Sequence, residues 1–447
     1  MDKLFGTDGI RGQAGEFPLD NKTVRRIGVS LARQFISKLR RPPRFITGRD
    51  TRESGALIEN AFHAGAMSEG AFCESAGVMT TPGIAYLTRA FDFDAGVVIS
   101  ASHNPYRDNG IKIFSPSGRK IDDATERRIE TDVYTAVTIN VNSAGLTPVN
   151  ERLDEFRASY LDHLLREANG FKFKKKIVVD CSNGAASSLA PELLASIGAE
   201  IVAINNVPDG RNINENCGSL HLDGLRSKVR NEKADLGVAF DGDADRALFI
   251  DENGEIVDGD ATLWIMGRYL RSHERLANST VVATVMSNIG LELALQSIDL
   301  KLIRTAVGDK YVLDELLKTH SEIGGEQSGH IIFPEISLVG DGMMTALLLF
   351  RAIHEMAVPL SEATEGFTRY PQILLNVEVR EKRPFSEVPA IADAAAKVES
   401  DLEGQGRLLL RYSGTENLAR VMIEGKDQKS IESQAKRLAA VIADALA

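Results

Sequence analysis

Apolar positions along the chain follow two periods. Val24, Ile27, Leu31, Phe35 and Leu39 recur at helical spacing, so 21–39 predicts an amphipathic helix, and 59–71, 156–168 and 189–197 read the same way. Between them stand short β-branched or aromatic runs that suit a buried, pleated backbone, at 45–48, 97–99, 177–180, 236–240, 280–285 and 303–307. A further short strand is predicted over 77–83, turning at Pro82. Strands alternating with helices predict a mainly parallel, doubly wound sheet up to about residue 140. The segment 137–148, rich in Asn, Ser, Thr and Gly, is the first expected linker. After Tyr370-Pro371 the pattern changes: 373–379 and 407–412 read as strands and 391–402 and 431–446 as helices, a small α+β domain.

Three strands end abruptly in polar loops. Val97, Val98 and Ile99 run into Ser100-Ala-Ser-His-Asn-Pro105, and the turn dipeptides Asn104-Pro105 and Asn109-Gly110 force the chain out of the sheet. Ligands of open α/β sheets bind beyond the carboxyl ends of strands, which places Ser102, His103 and nearby Lys112 for chemistry. On residue types alone a solvated surface turn is the commoner account, because a Ser-His pair adjacent in sequence rarely forms a nucleophile–base hydrogen bond.

The second loop, Asp241-Gly-Asp-Ala-Asp-Arg246, follows the apolar run 236–240. In an extended strand its alternate carboxylates would stand roughly 6.6 Å apart, too far to share one ion at ligand distances of about 2.0–2.1 Å. The loop must curl, and Gly242 and Ala244 are small enough to let it. Three clustered carboxylates without a cation would raise one another's pKa, so a hard divalent metal is the economical explanation. An EF-hand has its acids at this spacing, and Glu252 matches its twelfth position, but Arg246 stands where its turn requires glycine. A haloacid-dehalogenase phosphatase expects Thr or Val where Asp245 stands. The third loop, 321–330, offers Glu326, Ser328 and His330 around flexible glycines: an acceptor, a hydroxyl and an imidazole for a polyol, or equally a Gly-rich turn with a solvated histidine.

Two other stretches carry candidate chemistry. Phe5-Gly-Thr-Asp-Gly-Ile-Arg-Gly12 packs three glycines around Asp8 and Arg11, which frees the backbone to approach a ligand, or makes a flexible amino terminus. Leu410-Arg-Tyr-Ser-Gly-Thr-Glu-Asn-Leu-Ala-Arg420 has the composition of a phosphate cradle, with two arginines, two hydroxyls and a glycine amide. The basic run 172–176 reads as a solvated strand edge, and the turn 180–186 is only a weak anion-site signal.

At 447 residues the chain has room for about three domains of roughly 150 residues. The net charge of -11 argues against a nucleic-acid or anionic-membrane surface, although a basic phosphate pocket fits within an acidic whole. Cys73, Cys181 and Cys217 are odd in number and widely spaced, which suits a reducing compartment, and no zinc-type cluster is present. Without a signal-like amino terminus or an apolar span, the expected location is cytoplasmic.

Ser-Ala-Ser-His-Asn-Pro followed by Asp-Asn-Gly-Ile-Lys resembles the phosphoserine loop of the α-D-phosphohexomutase superfamily, which interconverts hexose 1- and 6-phosphates. The resemblance covers the whole length through five motifs in order: Gly-Thr-Asp-Gly-Ile-Arg-Gly, the serine loop, Asp-Gly-Asp-x-Asp-Arg, Gly-Glu-x-Ser-Gly-His and Arg-x-Ser-Gly-Thr-Glu. It implies a phosphorylated Ser102, not Ser100, and one Mg²⁺ on Asp241, Asp243 and Asp245 with Ser102. It puts Arg246 near the phosphate, Glu326, Ser328 and His330 at the sugar, and Arg411, Ser413, Gly414, Thr415 and Arg420 on the phosphate that is not reacting. Arg11, Lys112 and His330 are the implied group for proton transfer and charge stabilisation. Asn417 replaces the family's usual proline, which leaves every donor of that loop in place.

Gln327 and the opening motif are similar to the branch acting on glucosamine phosphates. That branch implies conversion of glucosamine 6-phosphate to glucosamine 1-phosphate through glucosamine 1,6-bisphosphate, for amino-sugar nucleotide and cell-wall precursor synthesis. A mannose or glucose phosphate mutase and a silent sugar-phosphate binder are the alternatives. The expected fold is α/β: three related doubly wound α/β domains around one cleft (1–148, 149–250 and 251–369) plus a small C-terminal α+β domain (370–447), with a hinge near Tyr370-Pro371. The expected partners are a hexosamine phosphate, no nucleic acid and no membrane, in a monomer or homodimer.

Overall fold

The structure, a computed structural model, describes residues 3–135, 151–276, 278–402, 404–413 and 417–446. The linker expected at 137–148 lies outside the described residues, as do Gly414 and Thr415. The chain divides into two compact units, Met1–Met286 with Leu300–Glu365, and Ser287–Asp299 with Gly366–Ala447.

The first unit holds three sheets. Strands β1 (Phe5–Gly6), β2 (Gly9–Gln13), β3 (Arg44–Arg49), β4 (Phe72–Val78), β5 (Ala95–Ile99) and β6 (Asp108–Phe114) lie in the order β1-β2-β6-β5-β3-β4. Strands β7 (Lys176–Asp180), β8 (Glu200–Ile204), β9 (Leu236–Phe240), β10 (Ala247–Asp251) and β11 (Ile256–Val257) lie in the order β11-β10-β9-β7-β8. Strands β12 (Thr280–Thr284), β13 (Lys301–Thr305), β14 (Gly324–Gly325) and β15 (Ile331–Ile332) lie in the order β13-β12-β14-β15. The second sheet thus runs on past the boundary expected at 250.

One pairing scheme recurs in all three sheets. A middle strand (β3, β7 or β12) pairs in parallel with a strand on each side, and the later of these (β5, β9 or β14) turns back into an antiparallel return strand (β6, β10 or β15). The turn into the return strand is in each case one of the three polar loops. A parallel crossover needs a dozen or more residues, and these loops are shorter, so the chain can only return as a hairpin. The first sheet is therefore mixed, not mainly parallel as the alternation of strands and helices predicts. Strands β5 and β9 are buried at every position, which explains their unbroken apolar runs.

The strand predicted over 77–83 is a strand end and a helix start. Strand β4 stops at Val78, and the helix Thr81–Ala90 begins with the Thr80 side chain accepting from the Gly83 amide and Pro82 in its first turn. The segment 5–13 is folded into the sheet. Gly9 (φ of 85°) makes the β1–β2 turn, where a Cβ would stand 2.5 Å from the Ile111 carbonyl oxygen, and β2 pairs with β6 so that Arg11 faces Gly110. Val24, Ile27, Phe45, Phe62, Val97, Ile99 and Ile111 fill the core beneath this sheet. The three cysteines are buried and free, and among the described residues no helix is long and apolar enough to cross a membrane.

The second unit is the expected α+β domain with one addition. Strands β16 (Gln372–Glu378), β17 (Gly406–Tyr412) and β18 (Leu418–Gly425) form an antiparallel sheet in the order β16-β18-β17, packed with the helices Pro389–Asp401 and Gln428–Leu446 around Val377, Ile391, Val421, Ile423 and Leu438. The helix Ile289–Ser297 belongs to this unit too. Buried Glu424 ties it in, accepting from the Ile289 amide at 3.1 Å and from Arg407 Nε at 3.0 Å.

Candidate active site

Ser102 stands in the loop after β5 with a left-handed backbone (φ of 52°) and a buried side chain. Its hydroxyl donates to Asp241 of the β9 loop and lies 3.3 Å from His103 Nδ1. Ser100, also buried, is used differently: its hydroxyl donates to Asp50 Oδ2 at 2.5 Å and accepts from the Ser102 amide at 2.9 Å. Asp50 in turn pairs with buried Arg52. Burial lowers the pKa of His103 to about 4, with Arg246 and Arg11 acting the same way, so the ring is neutral and takes a hydrogen bond from Arg246 Nη1 at 3.1 Å.

The β9 loop curls as expected. Ala244 is left-handed (φ of 55°) and its amide returns to the Asp241 carbonyl at 3.0 Å, which brings ligand atoms of Asp241, Asp243 and Asp245 within 4.8 Å of one another. Burial pushes the Asp241 carboxyl well above the usual range, and the charges of Asp245 and Asp243 add to it. For Asp245 burial acts upward too, but Lys112, His330 and Arg246 outweigh it and hold the group well below that range. One oxygen each of Asp243 and Asp245 is buried without a hydrogen-bond partner. Acceptor-only atoms left bare inside a protein are costly, so the cluster is suited to a hard cation.

Lys112, on β6, spans the site. Its ammonium lies 2.9 Å from Asp243 Oδ2, 3.1 Å from Asp245 Oδ2 and 3.0 Å from Asp8 Oδ2. Burial alone would lower its pKa, but the three carboxylates raise it well above the ordinary value. Arg11 donates to Asp8 at 2.5 Å and to Asn104 Oδ1 at 3.4 Å. Arg246 gives its amide to Asp241 Oδ1 at 3.2 Å.

The β14 loop supplies His330, whose Nδ1 lies 3.6 Å from Asp245 and whose Nε2 lies 3.8 Å from Asp309. Burial opposes protonation, but these carboxylates, with Glu326, raise the ring to about 9. The Gly340 amide points at Nε2 from 3.1 Å, a hydrogen bond that only an unprotonated Nε2 accepts. That contact is shorter than either ion pair and favours the neutral ring, with its proton on Nδ1 toward Asp245. Glu326 takes the Gly308 amide at 3.2 Å and the Ser328 hydroxyl at 3.2 Å. Gln327 reaches the other way, donating to Asp260 Oδ2 at 3.2 Å in the first turn of the helix Gly259–Ser272.

Of the expected residues, the structure thus gathers Arg11, Ser102, Lys112, the three aspartates, Arg246 and His330 through direct contacts. The functional reading of the sequence passed over Asp8, Thr81, Lys120 and Asp309. Thr81 donates to Asp243 Oδ2 at 2.5 Å, and Lys120 joins Asp8 to Asp309 at 2.6 Å each. Asp8 lies within a quoted motif and Asp309 follows a glycine at a strand end, so both carried a faint signal; Lys120 carried none.

In the second unit, Arg411 and Arg420 face each other across the β17–β18 pair, and Arg420 reaches Ser413 Oγ at 3.5 Å. Burial, with the Arg420 charge, depresses the pKa of Arg411. Like charges directly opposite are unfavourable, which leaves this pair suited to an anion.

Comparison with known proteins agrees with this architecture. Residues 2–138, 158–254 and 258–370 match alpha/beta/alpha domains I, II and III described as phosphoglucomutase/phosphomannomutase, and 374–441 matches the C-terminal domain of the same description. The chain belongs to the phosphoglucomutase/phosphomannomutase family, a family of phosphohexomutase isomerases. A phosphoglucosamine mutase of Solibacter usitatus is 47% identical over 439 residues, covering 98% of both chains, and one of Caldicellulosiruptor saccharolyticus is 45% identical over 450 residues, covering 99% of both. A phosphoglucomutase/phosphomannomutase family protein from Burkholderia thailandensis shares the fold at a TM-score of 0.80 with 20% identity, over 99% of this chain and 97% of that one.

Proposed function

We propose that this chain interconverts glucosamine 6-phosphate and glucosamine 1-phosphate, with Ser102 carrying the transferred phosphoryl group. The observation that carries the chemistry is the Ser102 hydroxyl, held on a left-handed turn against Asp241 of a buried acid triad. The choice of sugar is supported by full-length identity of 47% to a phosphoglucosamine mutase.

In this reading the phosphoryl group passes from Ser102 Oγ to the free hydroxyl of the monophosphate, breaking one P–O bond as the other forms and leaving glucosamine 1,6-bisphosphate. The bisphosphate turns end over end, and its other phosphoryl group returns to Ser102. Lys112, kept protonated by three carboxylates, supplies positive charge and not a base; Arg11 and Arg246 add to it. His330 stays in the group for proton transfer and charge stabilisation, and would take the hydroxyl proton only by giving up the Gly340 amide at Nε2. Asp241, Asp243 and Asp245, with the Ser102 oxygen, would hold one Mg²⁺, whose charge offsets the negative charge gathering on the departing serine oxygen. Glu326 and Ser328 would meet the sugar, with Glu326 attracting a protonated 2-amino group. Arg411, Ser413, Gly414, Thr415 and Arg420 would hold the idle phosphate. The same reading assigns the four segments 1–148, 149–250, 251–369 and 370–447 these four tasks, and a cytoplasmic role in cell-wall precursor supply to a monomer or homodimer.

Turnover on glucosamine, mannose and glucose 6-phosphates tests the proposal. The expected result is the highest kcat/KM on glucosamine 6-phosphate, with one phosphate on Ser102 by intact mass. A preference for mannose or glucose phosphate would overturn the choice of sugar.

A further inference from the structure

We infer that Asn214 and Arg52 are positioning residues that hold Ser102 in its reactive conformation, an inference that rests on the reading of Ser102 as phosphoryl carrier. Few residues other than glycine adopt a left-handed backbone, so the surroundings must impose the φ of 52° at Ser102. Both backbone polar groups of this residue are engaged. Its amide donates to Ser100 Oγ at 2.9 Å, and its carbonyl accepts from Arg52 Nη2 at 3.1 Å and from Asn214 Nδ2 at 2.9 Å. The same two donors also reach the carbonyl of Asn104, at 2.6 Å and 3.0 Å. Two side chains therefore bridge the same pair of carbonyls, and the turn between them cannot rotate without breaking four hydrogen bonds.

The donors approach from different elements. Arg52 is fully buried beyond the end of β3, and its charge is balanced by Asp50, which the Ser100 hydroxyl also reaches. Asn214 belongs to the irregular segment between β8 and β9 and is itself left-handed (φ of 58°), with its amide on the Ser182 carbonyl at 2.9 Å. Asparagine tolerates that backbone and offers two amide hydrogens, enough for both carbonyls. Gly242 closes the arrangement: a Cβ there would stand 2.5 Å from the Ser102 carbonyl oxygen and 3.0 Å from Asn214 Nδ2. With its carbonyl drawn toward Arg52 and Asn214, Ser102 is left with its hydroxyl on Asp241. Neither positioning residue has a described contact with the triad, so their effect on catalysis runs through Ser102.

Asn214→Gly keeps the left-handed backbone and removes the amide, while Asn214→Asp keeps the shape and turns the donor into an anion facing two carbonyls. Because misplacement of a reacting group by about 1 Å can cost roughly a hundredfold, both variants are expected to lose about tenfold or more in kcat, the aspartate more than the glycine. KM for glucosamine 6-phosphate should stay within about twofold, since uniform binding is untouched. Arg52→Lys, which keeps the charge on Asp50 but loses the fork, is expected to lower kcat in the same way. Asn216→Asp, at an exposed left-handed asparagine (φ of 53°) outside this arrangement, should turn over as the wild type does.

Unchanged kcat per folded molecule with a lower Tm would mean a purely structural role and would overturn the inference, as would a raised KM with kcat intact. Ser102→Ala separates the two claims. If it still turns over, the carrier reading fails and takes this inference with it; if it is inactive while both Asn214 variants match the wild type, only the positioning inference fails.

Discussion

The ammonium of Lys112 lies 3.0 Å from the carboxylate of Asp8, and that contact closes a ring of six ionisable groups. From Lys112 the ring passes to Asp245 at 3.1 Å, His330 at 3.6 Å, Asp309 at 3.8 Å, Lys120 at 2.6 Å and back to Asp8 at 2.6 Å. The amino-terminal hairpin, β6 and two loops of the third sheet are thereby joined by one circuit. Asp8 also takes Arg11, so a single carboxylate answers three cations. Burial pushes its pKa up, but Lys112, Lys120 and Arg11 outweigh it and hold the group well below the usual carboxylate range.

Asp8→Asn should therefore destabilise the protein at neutral pH by about 2 kcal/mol, between an exposed and a fully buried ion pair. A carboxyl whose folded pKa is depressed contributes stability that is fully present above its unfolded pKa of about 4 and is lost as pH falls toward the folded value. Urea melts of both proteins from pH 7 downward should show the gap constant to about pH 5 and closing below pH 4. A gap that widened in acid would mean that Asp8 is not acting as an anion.

Ser102→Ala should abolish turnover with the fold intact, and intact mass should find one phosphate on the wild type and none on the variant. Ser100→Ala should behave in the opposite way. It leaves Asp50 and the Ser102 amide each short of a partner, so a loss of about 1–3 kcal/mol in stability is expected with activity reduced but present. Equal loss of turnover at both positions would remove the distinction between carrier and support.

In the proposed function Gln327 would act on substrate choice through position, because its amide is directed to Asp260 and its carbonyl accepts from the Gly259 amide at 3.0 Å. Gln327→Met should shift the ratio of kcat/KM values toward glucose or mannose phosphate by releasing the segment that carries Glu326. Asp260→Ala should shift it in the same direction. A change in one variant only would point to direct contact of Gln327 with the sugar.

Arg411→Ala should weaken both the 1- and 6-phosphates by about ten- to a hundredfold in KM, the value of one lost charge-assisted pair. Bisphosphate should also escape into solution during turnover, detectable as a requirement for added bisphosphate. Loss of affinity for one monophosphate alone would call for two separate anion sites.

Local chemistry in this chain was legible in the sequence wherever the residues that act together are neighbours. The apolar runs of β5 and β9 and the polar loops after them could be read because a strand covered on both faces leaves no polar gap until it ends. Pro82 misled for a local reason: after Thr80 it starts a helix, whereas a proline beside a short apolar run reads as a turn. The charged helix Asp123–Tyr134 buries only Ile129 and Val133, too thin a stripe to register. Lys120 and Asn214 were beyond reach because their partners Asp8 and Ser102 each stand 112 positions away, and nothing in their own surroundings marks the contact.

In the proposed function the left-handed turn at Ser102 would also decide which alcohol can serve there. Threonine has the same hydroxyl and accepts phosphate as readily in chemical terms. Its branched Cβ, however, sits badly at a φ of 52°, where an L-residue already gives up roughly 1–2 kcal/mol. The added methyl would have to find room in a loop already drawn tight against Gly242. Serine is thus selected over threonine by the backbone and not by reactivity, and a protein kinase or chemical reagent that treats the two alike would find only one of them tolerated at this position.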